Sequence, residues 1–244
     1  MKIAAIVQAR VASTRLPAKV LLDLGGRTAL ERCLRRVERF TGITDIVVAT
    51  SDTAPDDIVS AVAIRLGFKV FRGSEHDVLS RYAGAAAMVG AEAVVRCTSD
   101  CPLLDPAISS SVISAFVSSQ PRADYASNIL ERRLPRGLDT EILSAETLRR
   151  AHEIATAKDE REHVTLHVYR RPETYRCLPV SVEMTDLSSL RWTLDTLDDY
   201  RFLHAVFERL GPRAETATMR DVVALLDAEP ALKTINANVV QKHV

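Results

Sequence analysis

The chain has 244 residues, 47% of them hydrophobic, which is enough to bury one large α/β core, so we expect a single domain over residues 1–244. Lys and Arg number 32 together, as do Asp and Glu, and this balance argues against nucleic acid or an anionic membrane as a partner. No apolar run approaches the roughly 18 residues that a membrane span needs, and the apolar stretch at the N-terminus is too short for a signal sequence, so we expect a soluble, cytoplasmic protein.

Apolar runs alternate with amphipathic stretches in the first half of the chain. Strands are predicted in KIAAIVQ, DIVVAT, KVFRG and AEAVVRCTSD, and helices in TALERCLRRVERF, in 56–66 and in HDVLSRYAGAAAMVG. Leu30, Leu34 and Val37 of the first helix recur at helical spacing. Continuous apolar strands separated by helices predict an α/β fold with a mostly parallel central sheet flanked by helices.

The second half of the chain is less regular. Strands are predicted in DYASN, in LDTEIL, near 175–182 and in 190–194, and helices in 145–157, in EREHVTLHVYRR, in 197–210 and near 219–226. No repeat, low-complexity segment or linker divides this half from the first.

Four predicted loops follow strands, at 8–19, 50–52, 97–105 and 193–198. Ligands of open α/β sheets bind beyond the carboxyl ends of the strands, so we expect these loops to line one crevice. The first loop carries Arg10, Arg15 and Lys19 but neither the dinucleotide fingerprint nor the P-loop pattern. Two guanidinium groups and an ammonium group suit a triphosphate of about four negative charges. A solvated basic loop without a ligand is the alternative.

Two aspartates follow predicted strands, Asp100 after the fourth strand and Asp195 after Leu194. Mg²⁺ takes one or two carboxylates, keeps several waters and bridges substrate phosphates, so this pair opposite a basic loop predicts magnesium-assisted phosphate chemistry. A turn or helix cap is the alternative for Asp100, and capping accounts well for Asp105 and for the aspartates that open the helix at 197–210. The four cysteines form no CxxC pair, which favours reduced, packed thiols over a zinc site.

Eight segments together resemble one known family in order and spacing. They are QARVASTRLPAKVLLDLGG, DIVVATSDTAPDD, VFRGSEHDVLSRY, VVRCTSDCPLLDP, DYASN, GLDTEIL, REHVT and RWTLDTLDDY. Over about the first 210 residues the chain is similar to the cytidylyltransferase family of CMP-sugar-acid synthetases, in particular its SpsF-like, spore-coat-polysaccharide branch. The sequence departs from the family pattern at Ala12 and Ala18, where many relatives have glycines, which adopt positive φ angles without strain.

The resemblance implies a Rossmann-like nucleotide-diphospho-sugar transferase fold of the GT-A type. It also implies a Mg²⁺-dependent reaction in which CTP and a sugar acid, of the ulosonic or nonulosonic type, give a CMP-sugar and pyrophosphate for surface polysaccharide or glycoconjugate biosynthesis. Residues 1–120 would form the nucleotide-binding half, and residues 121–244 the acceptor-binding half and the interface of a homodimer.

The same resemblance supplies expected site residues. The catalytic set is Arg10, Arg15, Lys19, Asp100 and Asp195, of which Asp100 and Asp195 would hold the metal ion. The other expected nucleotide-binding residues are Gln8, Ala9, Ser13, Thr50, Arg72 and Ser99. Arg72 ends the third predicted strand and is placed near the base or ribose, although backbone atoms are an equal alternative for reading the base.

The later motifs imply a sugar pocket, whose expected acceptor-binding residues are Asn128, Asp139, Glu141, Arg161 and His163. Strand termination is the alternative for Asn128. His163 and His167 are four residues apart on a predicted helix, but without the HExxH glutamate a transition-metal site is disfavoured. A GT-A glycosyltransferase and a non-catalytic nucleotide-binding homologue remain as alternative functions, and the basic loop favours an enzyme that must stabilise departing pyrophosphate.

Overall fold

The computed structural model describes residues 1–182 and 185–241. In these ranges the strands are β1 (Ile3–Gln8), β2 (Asp45–Ser51), β3 (Lys69–Gly73), β4 (Ala93–Thr98), β5 (Tyr125–Ser127), β6 (Glu141–Ser144) and β7 (Cys177–Pro179). They form one sheet in the order β3-β2-β1-β4-β6-β5-β7. The first four strands are parallel to one another, whereas β6 runs antiparallel to β4 and to β5. The predicted α/β fold with a mostly parallel sheet is confirmed.

The helices alternate with the strands through the first half and then follow one another. They are α1 (Ala29–Val37), α2 (Asp57–Arg65), α3 (Val78–Val89), α4 (Pro106–Ser118), α5 (Ala145–Ile154), α6 (Lys158–Glu162), α7 (Leu166–Tyr169), α8 (Leu197–Leu210) and α9 (Met219–Ala228). Short 3₁₀ turns span Lys19–Leu21, Ala54–Asp56, Gly211–Glu215 and Pro230–Thr234. Among the described residues, no helix is both long enough and apolar enough to cross a bilayer.

Both faces of the sheet are covered. Along β1, Ile3, Ala5 and Val7 join the core beneath α1, α2 and α4, and Ala4 and Ile6 join the core beneath α3 and α5. Because every β1 side chain before Gln8 is buried, the strand is a continuous apolar run rather than an alternating one.

A third core lies under the C-terminal helices, where α8 and α9 pack around the buried Trp192 and Leu194. This packing brings the segment before α8 against the end of β4, and the Leu194 backbone N–H donates to the Asp100 carbonyl at 2.8 Å. Two loops that are far apart in sequence therefore meet at the carboxyl edge of the sheet.

Three expectations for the second half need correction. The predicted helix in EREHVTLHVYRR is wrong, because the chain breaks between α6 and α7 at Val164, whose φ is +52°. The predicted strand 190–194 is also wrong, since this extended segment makes a single bridge, from Arg191 to Arg136. The strand expected near 175–182 is confirmed only over Cys177–Pro179.

Candidate active site

A cavity of about 910 Å³ opens at the carboxyl ends of β1 and β4. Twelve of the residues predicted from the sequence line it: Gln8, Ala9, Arg10, Ser13, Arg15, Lys19, Ser99, Asp100, Asp139, Glu141, His163 and Asp195. They come from all parts of the chain and meet because β1 and β4 are adjacent and the α8 segment packs onto β4.

Lys19 and two aspartates form the polar centre of the cavity. The Lys19 ammonium Nζ lies 2.6 Å from Asp100 Oδ2 and 2.7 Å from Asp195 Oδ1. Burial alone would lower the pKa of Lys19, but the two carboxylates outweigh it and raise that pKa above its ordinary value. Burial would likewise raise the pKa of Asp100, and the Lys19 charge lowers it instead. Lys19 and Asp100 are therefore both charged at neutral pH.

Asp195 is held from its other side by arginines. Arg15 lies 3.1 Å from Asp195 Oδ2, and Arg191 donates to the same oxygen at 2.7 Å. Arg191 also donates to the buried Asp199, which completes the capping box of α8 with Thr196. Helix capping, the alternative weighed for the aspartates around the start of α8, thus applies to Asp199, whereas Asp195 faces the cavity.

The basic loop after β1 is pinned by contacts that the sequence did not indicate. The Val11 N–H donates at 2.7 Å to the buried Asp56, and the Ala18 N–H donates at 2.9 Å to the Val11 carbonyl. Ala18 has a φ of +52°, the left-handed conformation that a glycine would adopt without strain. Ala18 directly precedes Lys19, whose ammonium group contacts both carboxylates.

Glu141, one of the predicted acceptor residues, lines the cavity and is already fully paired. On the β4–β6 ladder it stands opposite Arg96, to which it is ion-paired, and it accepts from the Tyr125 and Thr165 hydroxyls at 2.7 and 2.6 Å. Burial would raise the pKa of Glu141, but Arg96 lowers it below its ordinary value. The expectation that Glu141 accepts sugar hydroxyls stays a prediction, and these contacts give it a structural role.

Two other predicted acceptor residues also line the cavity. Asp139 accepts a two-pronged pair of hydrogen bonds from Arg132, at 2.6 and 2.8 Å. The His163 side chain has a pKa lowered by burial and by the Arg96 charge, so it is neutral at pH 7. His163 and His167 lie on either side of the break at Val164, and His167 bonds to the buried Glu160.

The structure does not bring the remaining four predicted residues to the cavity. Thr50 is fully buried in β2, and Arg72 donates to the Ser51 and Thr53 carbonyls. Asn128 bridges the Leu138 carbonyl and the Thr140 N–H, and Arg161 grips Asp77 with its guanidinium group. Thr50 is enclosed within the sheet, and the other three side chains are engaged by contacts within the protein, so ligand binding by these four stays a prediction without support from their placement.

Several cavity residues were missed by reading the sequence, among them Arg81, Arg96, Arg132, Arg136 and Gln241. A charged residue inside the apolar strand AVVRCT was a signal for Arg96, because such a residue needs a partner across the ladder. No comparable signal marks the others, and the approach of Arg132, Arg136 and Gln241 to the cavity depends on how the second half folds.

The carboxylates suit a hydrated divalent cation. Asp100 and Asp195 offer hard oxygen donors from separate segments, and the Lys19 ammonium shows that a positive charge is held by both at once. Over residues 1–182 and 185–241, no group of three or more His, Cys, Asp and Glu side chains is arranged to hold a metal ion. The donor set therefore fits Mg²⁺, which completes its shell with water and phosphate oxygens, better than zinc.

Comparison with known proteins identifies the family. The family model described as cytidylyltransferase matches residues 4–228. The chain belongs to the cytidylyltransferase family. The resemblance inferred from the eight motifs is thereby confirmed, as is the expectation of a nucleotidyltransferase, and membership of this family disfavours the glycosyltransferase alternative.

Three relatives show how far the similarity of this cytidylyltransferase extends. The spore coat polysaccharide biosynthesis protein SpsF of Bacillus subtilis is 33% identical over 94% of this chain and 95% of its own. A cytidylyltransferase structure from Leptospira borgpetersenii superposes with a TM-score of 0.91 at 31% identity, covering 100% of both chains. The 3-deoxy-manno-octulosonate cytidylyltransferase of Geobacter sulfurreducens is 36% identical over 49% of this chain and 47% of its own.

Proposed function

We propose that this cytidylyltransferase activates a sugar acid by transferring CMP to it from CTP, with Mg²⁺ as the metal ion and pyrophosphate as the second product. The observation that carries the proposal is that Asp100 and Asp195 both contact the Lys19 ammonium group, which belongs to the basic loop after β1. The sugar-acid class is supported by partial similarity to the Geobacter enzyme, whose name specifies such a substrate.

The reaction would be an in-line displacement at phosphorus. A hydroxyl oxygen of the acceptor forms a bond to the α-phosphorus of CTP and loses its proton, while the bond from that phosphorus to the bridging oxygen breaks and pyrophosphate leaves. Little covalent chemistry is asked of the protein, so positioning and charge stabilisation are its main contributions.

The cations of the first loop have the role of stabilising the leaving group. Arg10, Arg15 and Lys19 lie along one wall of the cavity and would neutralise the β- and γ-phosphates. Asp100 and Asp195 would hold the divalent ion, which when bound supplies charge neutralisation at the phosphoryl oxygens. Lys19 occupies the point between these carboxylates, so its ammonium group must turn toward the phosphates when metal and nucleotide enter together.

The wider setting of the reaction is also part of the proposal. Similarity to SpsF along nearly the whole chain supports a role in surface polysaccharide or glycoconjugate biosynthesis. The division into a nucleotide half, 1–120, and an acceptor half, 121–244, and assembly into a cytoplasmic homodimer are expected from the family resemblance alone. Size-exclusion chromatography with light scattering tests the dimer.

The test of this function is pyrophosphate release by the purified protein with Mg²⁺, each of CTP, ATP, GTP and UTP, and a panel of sugar acids. We expect release with CTP, dependence on one acid, and loss of at least about 100-fold in Asp195→Asn. Asp198→Asn is the matched control, because Asp198 lies three residues away and pairs on the surface with Arg201. Release that is as fast with ATP as with CTP, or equal activity of the two variants, would refute the proposal.

A further inference from the structure

The cations that line the cavity differ in whether a partner within the protein already satisfies them. Lys19 and Arg15 face Asp195, while Arg96 and Arg132 are paired with Glu141 and Asp139. Three more arginines line the cavity, and two of them also have partners. Arg81 donates to the Ser74 and Glu75 carbonyls, and Arg10 lies 3.9 Å from Glu162.

Arg136 is the exception within the described ranges, since its guanidinium group has no hydrogen bond or ion pair there and lines the cavity. The nearest carboxylate, Asp139, is engaged by both prongs of Arg132. Burial and the neighbouring charges of Arg132 and Arg191 lower the pKa of Arg136. A half-buried cation surrounded by other cations is the group in this cavity that would gain most from an incoming anion.

The backbone holds Arg136 in a fixed position. Its N–H donates to the Leu190 carbonyl at 3.1 Å, and its carbonyl accepts from the Trp192 N–H at 2.7 Å. Gly137 follows with a φ of +105°, and a Cβ there would lie 2.7 Å from the Trp192 backbone, so only glycine fits. The guanidinium group therefore starts from a rigid anchor, which is the arrangement that binding of a defined ligand requires.

We propose that Arg136 binds the carboxylate of the acceptor. This inference rests on the proposed function and adds the residue that recognises the acid group. The anion belongs to the acceptor rather than to CTP because the loop after β1 already provides Arg10, Arg15 and Lys19 for the phosphates. Arg136 instead belongs to the loop between β5 and β6, beside the Arg132–Asp139 pair. A planar guanidinium group matches a carboxylate with two parallel hydrogen bonds, which an ammonium group cannot reproduce.

The test pairs a change in the protein with a change in the ligand. Calorimetric titrations would measure the affinity of the protein for two probes and their methyl esters. Mg²⁺ and a CTP analogue are present throughout, and in this analogue a methylene group replaces the α–β bridging oxygen. The probes are 3-deoxy-manno-octulosonate and N-acetylneuraminate. We expect the wild type to prefer one acid over its ester by about 10- to 100-fold, and Arg136→Gln to lose this preference while Arg136→Lys recovers part of it.

The matched control is Arg133→Gln, which removes the same charge from an exposed residue of the same loop. It should bind the acid as the wild type does. Arg136→Gln leaves no partner unsatisfied, so its melting temperature should stay within about 2 °C of the wild-type value. A merely structural arginine would instead show a lower melting temperature with unchanged preference for the acid.

The outcomes separate this inference from the function on which it rests. If Arg136→Gln weakens binding of the CTP analogue and leaves binding of the acid unchanged, Arg136 belongs to the phosphate site and the inference is overturned. It is equally overturned if the wild type binds neither acid, or if it binds acid and ester alike. Failure of the wild type to bind the CTP analogue with Mg²⁺ would instead refute the proposed function.

Discussion

Lys19→Met removes the cation between the two carboxylates while keeping most of the side chain's length. Lys19 is the cation that contacts both Asp100 and Asp195, at 2.6 and 2.7 Å, whereas of these two aspartates Arg15 and Arg191 pair with Asp195 alone. Without it, two like charges face each other in a partly buried cavity, and we expect the protein to be less stable but a better ligand for Mg²⁺ alone. Lys69→Met is the control, because Lys69 also pairs with an aspartate, Asp45, but its side chain is 57% exposed and Asp45 has a second cation nearby, Lys2.

The size of the effect follows from the geometry. Two carboxylate oxygens that contact one ammonium nitrogen at 2.6 and 2.7 Å lie roughly 4–5 Å apart, and two unit charges at that separation repel by about 3–4 kcal/mol at an effective dielectric constant of about 20. The side chains of Asp100 and Asp195 are 23% and 16% exposed, so solvent screening reduces this cost to about 2 kcal/mol. For a protein of this size the melting temperature should fall by roughly 4–8 °C. Loss of the Lys69–Asp45 pair in Lys69→Met should cost less than about 1 kcal/mol, because Lys69 is exposed and Lys2 still faces Asp45.

Thermal unfolding with increasing MgCl₂ and no nucleotide measures the second half of the prediction. A single site occupied at ten times its dissociation constant adds about 1.4 kcal/mol of stability. The Lys19→Met protein should gain stability of this order at millimolar Mg²⁺, because the ion replaces the missing ammonium charge. The wild type and Lys69→Met should gain clearly less.

Two results would refute this reasoning. One is a Lys19→Met protein as stable as Lys69→Met, which would mean that the carboxylates do not depend on the ammonium charge. The other is an equal response to Mg²⁺ in all three proteins, which would mean that the ion does not bind where Lys19 lies.

Three further changes test other parts of the structure. Ala18→Gly should raise the free energy of unfolding by about 0.5–1 kcal/mol in urea, because glycine relieves the positive φ but adds freedom to the unfolded chain. Glu141→Gln should cost about 3–5 kcal/mol at pH 7 by leaving Arg96 unpaired. That deficit should shrink as the pH falls below 4.5, the ordinary pKa of Glu141, and through its lower folded-state pKa, because the wild-type contribution is lost there. Asn236→Ala should cost about 1–3 kcal/mol, because Asn236 holds the Arg191 carbonyl and Asp199.

Each of these changes has a control in the chain. Ala12→Gly, at an exposed residue without a positive φ, should not stabilise the protein, and an equal gain there would contradict the strain at Ala18. Glu146→Gln and Asn238→Ala alter exposed residues and should be nearly neutral at every pH tested. A Glu141→Gln deficit that persists unchanged at acid pH would contradict the assignment of a charged Glu141.

The first half of the fold could be predicted because its three central strands are largely buried on both faces. β1, β2 and β4 are apolar runs long enough to stand out, and the helices between them have clear periodicity. The break at Val164 could not be predicted, because a valine with positive φ is held there by its surroundings and carries no local signal. Alternating Leu190, Trp192 and Leu194 suggested a strand, yet these side chains pack under α8 and α9 without a strand partner.

The candidate site was predicted in its parts but not in its pairings. The position of the aspartates after predicted strands indicated that Asp100 and Asp195 lie at one edge, and the structure brings them together although residues 190–194 form no strand. The sequence could not show that Lys19 lies between them, because a long, flexible lysine side chain can reach many different carboxylates. Arg161 illustrates the same limit. It was expected to bind the acceptor, but its guanidinium group is ion-paired with Asp77, whereas Arg136, which the sequence did not indicate, lines the cavity.

The claim that Asp100 and Asp195 hold one ion together with CTP is tested most directly by a double-mutant cycle. Calorimetry would measure how much Mg²⁺ strengthens CTP binding in the wild type, in Asp100→Asn, in Asp195→Asn and in the double variant. If both carboxylates hold the same ion, each single change should remove most of the magnesium-dependent gain, and the double change should remove little more. Losses that add independently, or a single variant that keeps the full gain, would contradict the account.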